Sequence, residues 1–479
     1  MALSFLIWCP IVSGLLLFLF PGASSSRTCQ NFSLGSALFT LIWSVGLLTQ
    51  IDLHHSGWQL QEYVPWVQSI GLNYALAIDV ISLPLVWLNC LLVMIAIFAS
   101  RGVKRPRFYF GLLLLLSGGV LGAFLSTNLL LFFLFFELEL IPLYLLIAVW
   151  GGERRGYAAT KFLLYTALSG ILMLLAFFAC ATQFPISFDW QVLHDRALAE
   201  PLQLVCLGLL LLSFGIKIPL VPLHTWLPDA HVEASTPISV LLAGILLKLG
   251  TYGLLRFGLA LFPDAWAVFA PYLAWWAVLS VLYGCFTAIT QTDMKKMVAY
   301  SSIGHMGYVL LALAAHTPLS VVGAMWQMVS HGIISALLFL LVGTISSKAG
   351  TRDLNKLQGL FNPECGLPLT GTLMVLAAMA SGGIPGLMGF VAEFLVFRGS
   401  FTVFPSATLL CMVGTGLTAV YFLILLDKAF FGRIVEPLPP VSWQDKLPAF
   451  VLALVIIGLG LQPSWLSQVW TSADLPLPF

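Results

Sequence analysis

The chain contains 479 residues, of which 60% are hydrophobic and only 9% are charged, and its formal net charge is +1. Together with a mean hydropathy of +0.99, this composition excludes a soluble globular protein. Apolar runs of membrane-spanning length predict an all-α integral membrane protein with about fourteen transmembrane helices. The runs lie near residues 3–20, 32–49, 76–99, 108–125, 128–150, 160–182, 202–222, 236–260, 267–289, 296–315, 319–343, 367–398, 404–430 and 447–466.

The first apolar run is interpreted as a membrane span, because no Lys or Arg precedes it as in a signal peptide. Basic residues then fall mostly in the loops on one side of the membrane. That side receives Arg27, Arg101, Lys104, Arg105, Arg107, Arg154, Arg155, Lys161, Lys295, Lys296, Lys348, Arg352, Lys356, Lys428, Arg433 and Lys446. The opposite side receives Arg196, Arg256 and Arg398. Such a split predicts that both termini lie on the lumenal or periplasmic side.

The fifth span, near residues 128–150, carries Glu137 and Glu139 within an apolar sequence. A charge at bilayer depth costs at least about 2.5–3.5 kcal/mol, so such a residue is a candidate functional residue. We expect Glu137 to pair with Lys217 of the seventh span; the alternative is that this pair only holds helices together. Glu139 points to a different helix face, so it lies either in the site or near the membrane surface.

Two spans are interrupted next to a charged residue. Pro219 and Pro222 follow Lys217, and a glycine-rich stretch at 381–389 precedes Glu393 in the twelfth span. Proline removes a helical hydrogen bond, and broken helices at membrane depth often line ion sites. The matched breaks predict two inverted five-helix repeats; the alternative is that they merely kink two helices. The predicted domains are an N-terminal three-helix segment (1–107), a first repeat (108–260), a second, inverted repeat (267–431), and a C-terminal helix and tail (447–479).

Further ionisable candidates lie on later spans. Lys248 is central in the eighth span with no acid near it in sequence, which makes it a candidate for proton exchange. His305 and His331 fall on the tenth and eleventh spans; they are either intermediate proton carriers or packing residues. Glu393 is the predicted terminal acid.

Neither a metal site nor a bound redox cofactor is predicted in this chain. His224 and His231 flank a loop after the seventh span, where a structured loop is favoured over metal binding because no close third ligand accompanies them. The eight cysteines are scattered without a Cys-x-x-Cys motif. Residues 414–419 match a dinucleotide fingerprint but lie inside an apolar span with no preceding strand, so close helix packing is the better interpretation.

Several stretches resemble the antiporter-like membrane subunits of respiratory complex I. They are residues 136–146, 150–152, 159–166, 217–231, 241–250, 299–307 and 389–394. Within that family the chain is most similar to the M-type subunit, chain 4, because Glu393 stands where the other types usually have lysine. The double acid of Glu-Leu-Glu-Leu-Ile-Pro, residues 137–142, is similar to the chloroplast and cyanobacterial branch.

The resemblance implies a proton-pumping membrane-arm subunit of a type I NAD(P)H or ferredoxin:plastoquinone oxidoreductase in a thylakoid membrane. It also implies that Glu137 and Lys217 form a switching pair. By residue match, proton transfer is assigned to Glu137, Lys217, Lys248, His305, His331 and Glu393. Redox chemistry would take place in other membrane-arm and peripheral subunits. These subunits and the lipid bilayer are the expected partners, and no nucleic acid is expected.

Three function classes follow from these residues. A redox-driven pump subunit is favoured. A subunit of a multisubunit cation/proton antiporter, for example in a bacterial inner membrane, is disfavoured by Glu393, and a scaffold whose charges only pair helices is the third class. Cyanobacterial variants of the same subunit also serve complexes that drive carbon dioxide uptake, and the resemblance leaves that role open.

Overall fold

The computed structural model describes residues 1–19, 25–55, 57–182, 186–196, 198–434 and 437–471. Within these ranges, 13 helices are long and apolar enough to cross a membrane. The predicted twelfth span is divided into two shorter helices, Pro368–Ser381 and Met388–Phe401. Together these segments account for the roughly fourteen spans expected from hydropathy. The protein is a helical multi-pass membrane protein, as predicted.

The elements follow one another in a simple order. They are α1 (Ala2–Leu19), α2 (Ser26–Gly46), β1 (Gln59–Val67), β2 (Leu72–Ile78), α3 (Ser82–Ala99), α4 (Pro106–Leu125), α5 (Leu129–Leu138), α6 (Leu140–Trp150), α7 (Arg155–Ala181), α8 (Trp190–His194), α9 (Glu200–Lys217), α10 (Trp226–Glu233), α11 (Thr236–Leu241), α12 (Leu247–Gly253), α13 (Pro263–Ile289), α14 (Met294–Ala315), α15 (Pro318–Ala349), α16 (Pro368–Ser381), α17 (Met388–Phe401), α18 (Pro405–Phe430), α19 (Trp443–Leu461) and α20 (Ser464–Thr471). Two π-helical segments, Leu242–Leu246 and Leu254–Leu259, flank α12 and make one continuous span with α11 and α12.

Local sequence signals set where the helices begin. Asn128 caps α5 by accepting a hydrogen bond from the Leu131 amide, and Asp293 caps α14 in the same way. Thr317 and Ser320 form a reciprocal capping box at the start of α15. Such side chains satisfy amide groups that have no partner inside the helix. Membrane helices therefore start at defined residues even though their apolar runs have no internal boundary.

The prediction that residues 76–99 form one helix is wrong at its beginning. Strand β2 pairs antiparallel with β1, and the helix α3 begins only at Ser82. A short apolar run does not distinguish a buried strand from a helix, so hydropathy alone joined the two elements. Asp79 separates them, because its carboxylate accepts hydrogen bonds from the amides of Ile81 and Ser82 at 3.1 and 2.9 Å.

The chain divides into two compact units by its internal contacts. Unit 1 comprises 1–219, 245–270 and the described residues 469–471, and unit 2 comprises 220–244 and 271–468. The span Thr236–Leu259 is entirely buried, and α14 and α15 are nearly so, whereas only about a third of α2 and of α19 is buried. Charged side chains on the buried spans are therefore the natural place to look for a functional site. The inverted repeats stay a prediction.

Candidate functional site

In unit 1, Lys217 forms a buried ion pair with Glu139. Lys217 is the last residue of α9, and its ammonium group donates a hydrogen bond to the Glu139 carboxylate. The two residues are 1% and 0% exposed, respectively. The ring centroid of Phe136 lies 4.4 Å from the Lys217 nitrogen and adds a cation–π contact. Both charges are thus removed from lipid and matched to each other.

The predicted pairing of Lys217 with Glu137 is wrong; the partner is Glu139. Glu139 stands at the junction of α5 and α6, where Pro142 lacks the amide that would bond to the Leu138 carbonyl. Residues two positions apart point to different sides of a helix, so only one of the two acids can face α9. Glu137 is half-buried and faces α7 instead, where a β-carbon at Gly170 would overlap its carboxylate. Its role in proton transfer stays a prediction.

The helix break after Lys217 is present as predicted. Helix α9 ends at Lys217, residues 218–225 form turns, and the chain becomes helical again at Trp226. The prolines at 219 and 222 cannot donate backbone hydrogen bonds, so a regular helix cannot continue through them. A lysine in the last turn also interacts favourably with the helix dipole. The sequence thereby fixes Lys217 at a helix end inside the membrane.

Lys248 is completely buried in the same span as the two π-helical segments. It lies on α12, the short α-helical stretch between them, and its backbone carbonyl accepts a hydrogen bond from the Thr251 hydroxyl at 3.1 Å. Single turns of π-helix inside α-helices occur frequently at functional sites. The irregular backbone on both sides of Lys248 is consistent with its selection as a candidate.

In unit 2, a small polar cavity with room for about one water molecule lies between α14, α15, α16 and α17. It brings together three of the residues predicted to transfer protons, His305, His331 and Glu393. The remaining polar lining consists of Ser301, Ser302, Gln327, Ser330, Ser335 and Ser381. Apolar cavities stay dry, but a polar one can hold a water molecule with several hydrogen-bond partners. The lining is therefore suited to conduct protons.

His305 is held by backbone carbonyl groups on both sides of its ring. Nδ1 lies 2.8 Å from the Ser301 carbonyl oxygen, and Nε2 lies 3.2 Å from that of Ser381. A neutral imidazole donates from one nitrogen only, so both contacts are hydrogen bonds only when the ring carries two protons. The hydroxyl groups of Ser301 and Ser381 lie 3.4 Å from the same nitrogens and can donate to whichever nitrogen loses its proton. His305 can therefore hold a proton and release it without losing its orientation.

The break in the twelfth span provides the second of these carbonyl groups. Beyond Ser381, the amides of Gly382, Gly383 and Ile384 donate to the carbonyls of residues 378–380. The Ser381 carbonyl is left for His305. The last carbonyls of a helix have no partner within it, which is why they can be used this way. At the start of α17, Gly389 allows a close approach, since a β-carbon there would overlap the Ala380 carbonyl.

Glu393 of α17 lines the same cavity and lies next to His305. Its Oε1 is 3.7 Å from His305 Nε2, and its Oε2 accepts a hydrogen bond from the Thr415 hydroxyl at 2.8 Å. Oε1 has no hydrogen-bond partner among the described residues. The Tyr308 hydroxyl continues the chain of contacts, at 3.3 Å from the Thr415 hydroxyl. The acid therefore has one oxygen fixed by a hydroxyl and one facing the histidine.

We expect Thr415→Val to slow proton translocation about tenfold without loss of assembly, because a hydrogen bond to a charged group is worth about 1.5–3 kcal/mol. Thr415→Ser, which keeps the hydroxyl, should behave like the wild type. Thr408→Val is the matched control on the same helix, since the Thr408 hydroxyl donates to the uncharged Phe404 carbonyl. Donor-driven proton uptake in vesicles is the measurement, and equal rates for both valine variants would contradict the role of Thr415.

The other histidines occupy different surroundings. The rings of His305 and His331 lie 5.7 Å apart, so His331 belongs to the cavity site. His231 stacks on Phe339 with ring centroids 4.4 Å apart, and His224 makes an edge contact with Tyr283. Both are buried: His224 lies in the turns that precede α10, and His231 lies within α10. Their aromatic contacts favour a packing role.

Sequence reasoning misplaced two basic residues. Arg256 and Lys295 were expected in loops, but they are only 1% and 5% exposed. Arg256 pairs with Asp79, and the Trp58 ring centroid lies 4.2 Å from its guanidinium carbon. Asp79 was overlooked, although a single acid between two apolar stretches is a usable signal. Both basic residues lie within one helical turn of the end of a span. Hydropathy does not show whether a charged residue at that position is buried or exposed.

Comparisons with known proteins agree with this architecture. Residues 126–418 match the family described as "NADH:quinone oxidoreductase/Mrp antiporter, TM". The chain belongs to this family. Relatives in the NADH:quinone oxidoreductase/Mrp antiporter family include NAD(P)H-quinone oxidoreductase chain 4 1 of a Nostoc species, which is 40% identical over 98% of this chain and 89% of the relative. Chain 4 of a Synechococcus species is 40% identical over 98% and 88%, respectively. The expected resemblance to chain 4 is confirmed.

Two solved structures share the fold. A chain of respiratory complex I from Thermus thermophilus with bound NADH superposes with a TM-score of 0.89 at 28% identity, and the match covers 98% of each chain. A chain of the Mrp complex from a Dietzia species also has a TM-score of 0.89, at 22% identity over 98% of this chain and 96% of that one. The latter likeness concerns the fold alone.

Proposed function

We propose that this chain is the proton-translocating, chain 4-type membrane subunit of a type I NAD(P)H or ferredoxin:plastoquinone oxidoreductase, in a cyanobacterial or chloroplast thylakoid membrane. The support is its membership of the family, its relatives named NAD(P)H-quinone oxidoreductase chain 4, and its buried ionisable residues. Other membrane-arm and peripheral subunits would bind the electron donor and the quinone. This chain's own residues would move protons.

The observation that carries the proposal is the contact between His305 and Glu393 in the polar cavity. Their facing atoms are 3.7 Å apart, which a small movement or one water molecule closes to hydrogen-bond distance. In the transfer step the Nε2–H bond of the imidazolium breaks and an O–H bond forms at Oε1 of Glu393. The neutral ring is then reprotonated from the cavity, where we assign His331 to the same relay. Release of the proton from Glu393 restores the carboxylate.

Unit 1 would supply the switching element. Lys217 alternates between a charged state paired with Glu139 and a state in which its proton has passed on, with Lys248 as the next carrier. We keep Glu137 as a second acid of this group, since it is two residues, less than one helical turn, from Glu139. When the Lys217 ammonium group loses its proton, the Glu139 carboxylate loses its counter-charge, and the net charge of the pair changes. Redox chemistry in other subunits would have to drive this change. The inverted repeats at 108–260 and 267–431 belong to the same proposal.

Purification of the chain with its natural partners tests the function. We expect co-isolation with quinone-reducing subunits and proton uptake that requires an electron donor and plastoquinone. Cation/proton exchange with no electron donor would identify a multisubunit antiporter instead and contradict the proposal. The identity of the co-isolated peripheral subunits would also distinguish a donor-oxidising complex from one that drives carbon dioxide uptake.

A further inference from the structure

Lys295 is a buried amine in unit 2 that the proposed relay does not yet use. It lies in the first turn of α14 and is 5% exposed. Its ammonium group donates to the Ala234 carbonyl oxygen at 2.7 Å and lies 3.5 Å from the Ser239 hydroxyl. Both partners are uncharged. Lys217, in contrast, has a carboxylate as its partner.

The acid nearest to Lys295 in sequence is already engaged. Asp293 accepts hydrogen bonds from the amides of Lys295 and Lys296 at 2.8 and 3.2 Å, and its other oxygen pairs with Arg352. Arg352 also donates to the Val232 carbonyl at 2.7 Å. The half-exposed Glu233 completes the charged groups around this end of α10. Lys295 can therefore change its protonation without leaving an acid unpaired.

The same helix face leads from Lys295 into the cavity. Val298 and Ser302 follow at intervals of three and seven residues, which places all three side chains on one side of α14. Both Val298 and Ser302 line the cavity of His305 and His331. Seven residues correspond to about 11 Å along the helix axis, which one lysine side chain and one or two water molecules can bridge. At its other end, Lys295 adjoins the basic residues Lys296 and Arg352 near the membrane face.

We propose that Lys295 is a proton-carrying residue that connects the positively charged membrane face with the cavity of His305 and His331. The inference rests on the proposed function. In each cycle the ammonium group gives one proton, through the Ser302 hydroxyl and cavity water, to a neutral imidazole. The resulting neutral amine takes a proton from the aqueous phase, so the lysine returns to its starting state. The Ser239 hydroxyl can donate to the amine while it is neutral.

Substitution by arginine separates proton transfer from a purely structural role. Arginine keeps a cation that can donate to the Ala234 carbonyl, but it does not lose its proton in proteins. We expect Lys295→Arg to assemble at the wild-type level and to slow donor-driven proton uptake at least about a hundredfold, within the range for loss of a proton-transfer group. Lys295→His should restore part of the rate. Lys296→Arg, at the neighbouring half-exposed lysine, is the matched control and should leave both measurements unchanged.

Two results would overturn the inference. Wild-type uptake by Lys295→Arg would show that the residue only holds the end of α10, and so would reduced abundance of the complex with an unchanged rate per assembled complex. Glu393→Gln is measured in the same vesicles to separate the two levels of the proposal. If it retains full uptake, the proposed relay itself is wrong. If it loses uptake while Lys295→Arg does not, only the role of Lys295 is wrong.

Discussion

Glu393→Gln is expected to leave the complex assembled and to abolish donor-driven acidification of vesicles. Glutamine has the same shape, and its amide oxygen can still accept the hydrogen bond from Thr415, but it cannot take up and release a proton. Loss of a proton-transfer group typically slows a reaction by about 10²–10⁴-fold. If Glu393 were only a structural anion, its neutralisation would instead lower the amount of subunit in the isolated complex.

Two companion variants sharpen this experiment. Glu393→Asp keeps a titratable group and should retain part of the transport. Glu364→Gln removes an acid from an exposed loop and is the control for loss of negative charge. Normal assembly together with full pumping by Glu393→Gln would remove Glu393 from the pathway. Subunit abundance and the rate of pH-gradient formation are measured on the same preparation.

Lys217→Met should both impair pumping and destabilise the subunit, because it leaves the Glu139 carboxylate buried without its partner. Breaking a buried ion pair in this way costs about 3–5 kcal/mol. We expect reduced abundance of the subunit in purified complexes and a lower thermal midpoint in detergent. If complexes carrying the change are as abundant and as active as the wild type, the pair is neither structural nor part of a switch.

Double variants identify the acid that pairs with Lys217. Adding Glu139→Gln to Lys217→Met removes the unpaired charge and should restore abundance, while pumping stays lost. Adding Glu137→Gln instead should not restore abundance, since that acid faces α7. Interaction between two changes reports their contact, so the comparison is a direct test of the pairing. Restoration by Glu137→Gln alone would favour the pair expected from the sequence.

Much of the architecture could be predicted because hydrophobic length is a strong signal in membrane proteins. The spans, the break after Lys217 and the break before Glu393 all follow from apolar runs interrupted by proline and glycine. His305, His331 and Glu393 could each be named as candidates in advance because ionisable residues inside apolar spans are rare, but their grouping in one cavity could not. In each case a residue type that is unfavourable inside a membrane helix can be recognised within an apolar run.

The sequence did not determine which way a side chain faces around its helix or which elements contact one another. Glu137 and Glu139 lie in equally apolar sequence. Which of them pairs with Lys217 depends on the junction of α5 and α6. Strand β2 was joined to α3 because its apolar residues carry no mark of hydrogen bonding to β1. Lys295 and Arg256 were placed in loops because a span end is defined only to within a turn. These features depend on tertiary contacts that no local pattern encodes.

The carbonyl group of Ser381 has a consequence for genetics. It holds His305 through a main-chain atom, so every substitution at position 381 that preserves the helix end also preserves the acceptor. Alanine at this position would lose the hydroxyl that can donate to the neutral ring, but it would keep the carbonyl contact to the protonated ring. Selection for a free carbonyl at residue 381 would act on the glycines and the proline that interrupt the span after it, although none of these residues has an ionisable group. At this helix end, the contact that holds His305 is expected to depend on the backbone conformation more than on the side chain.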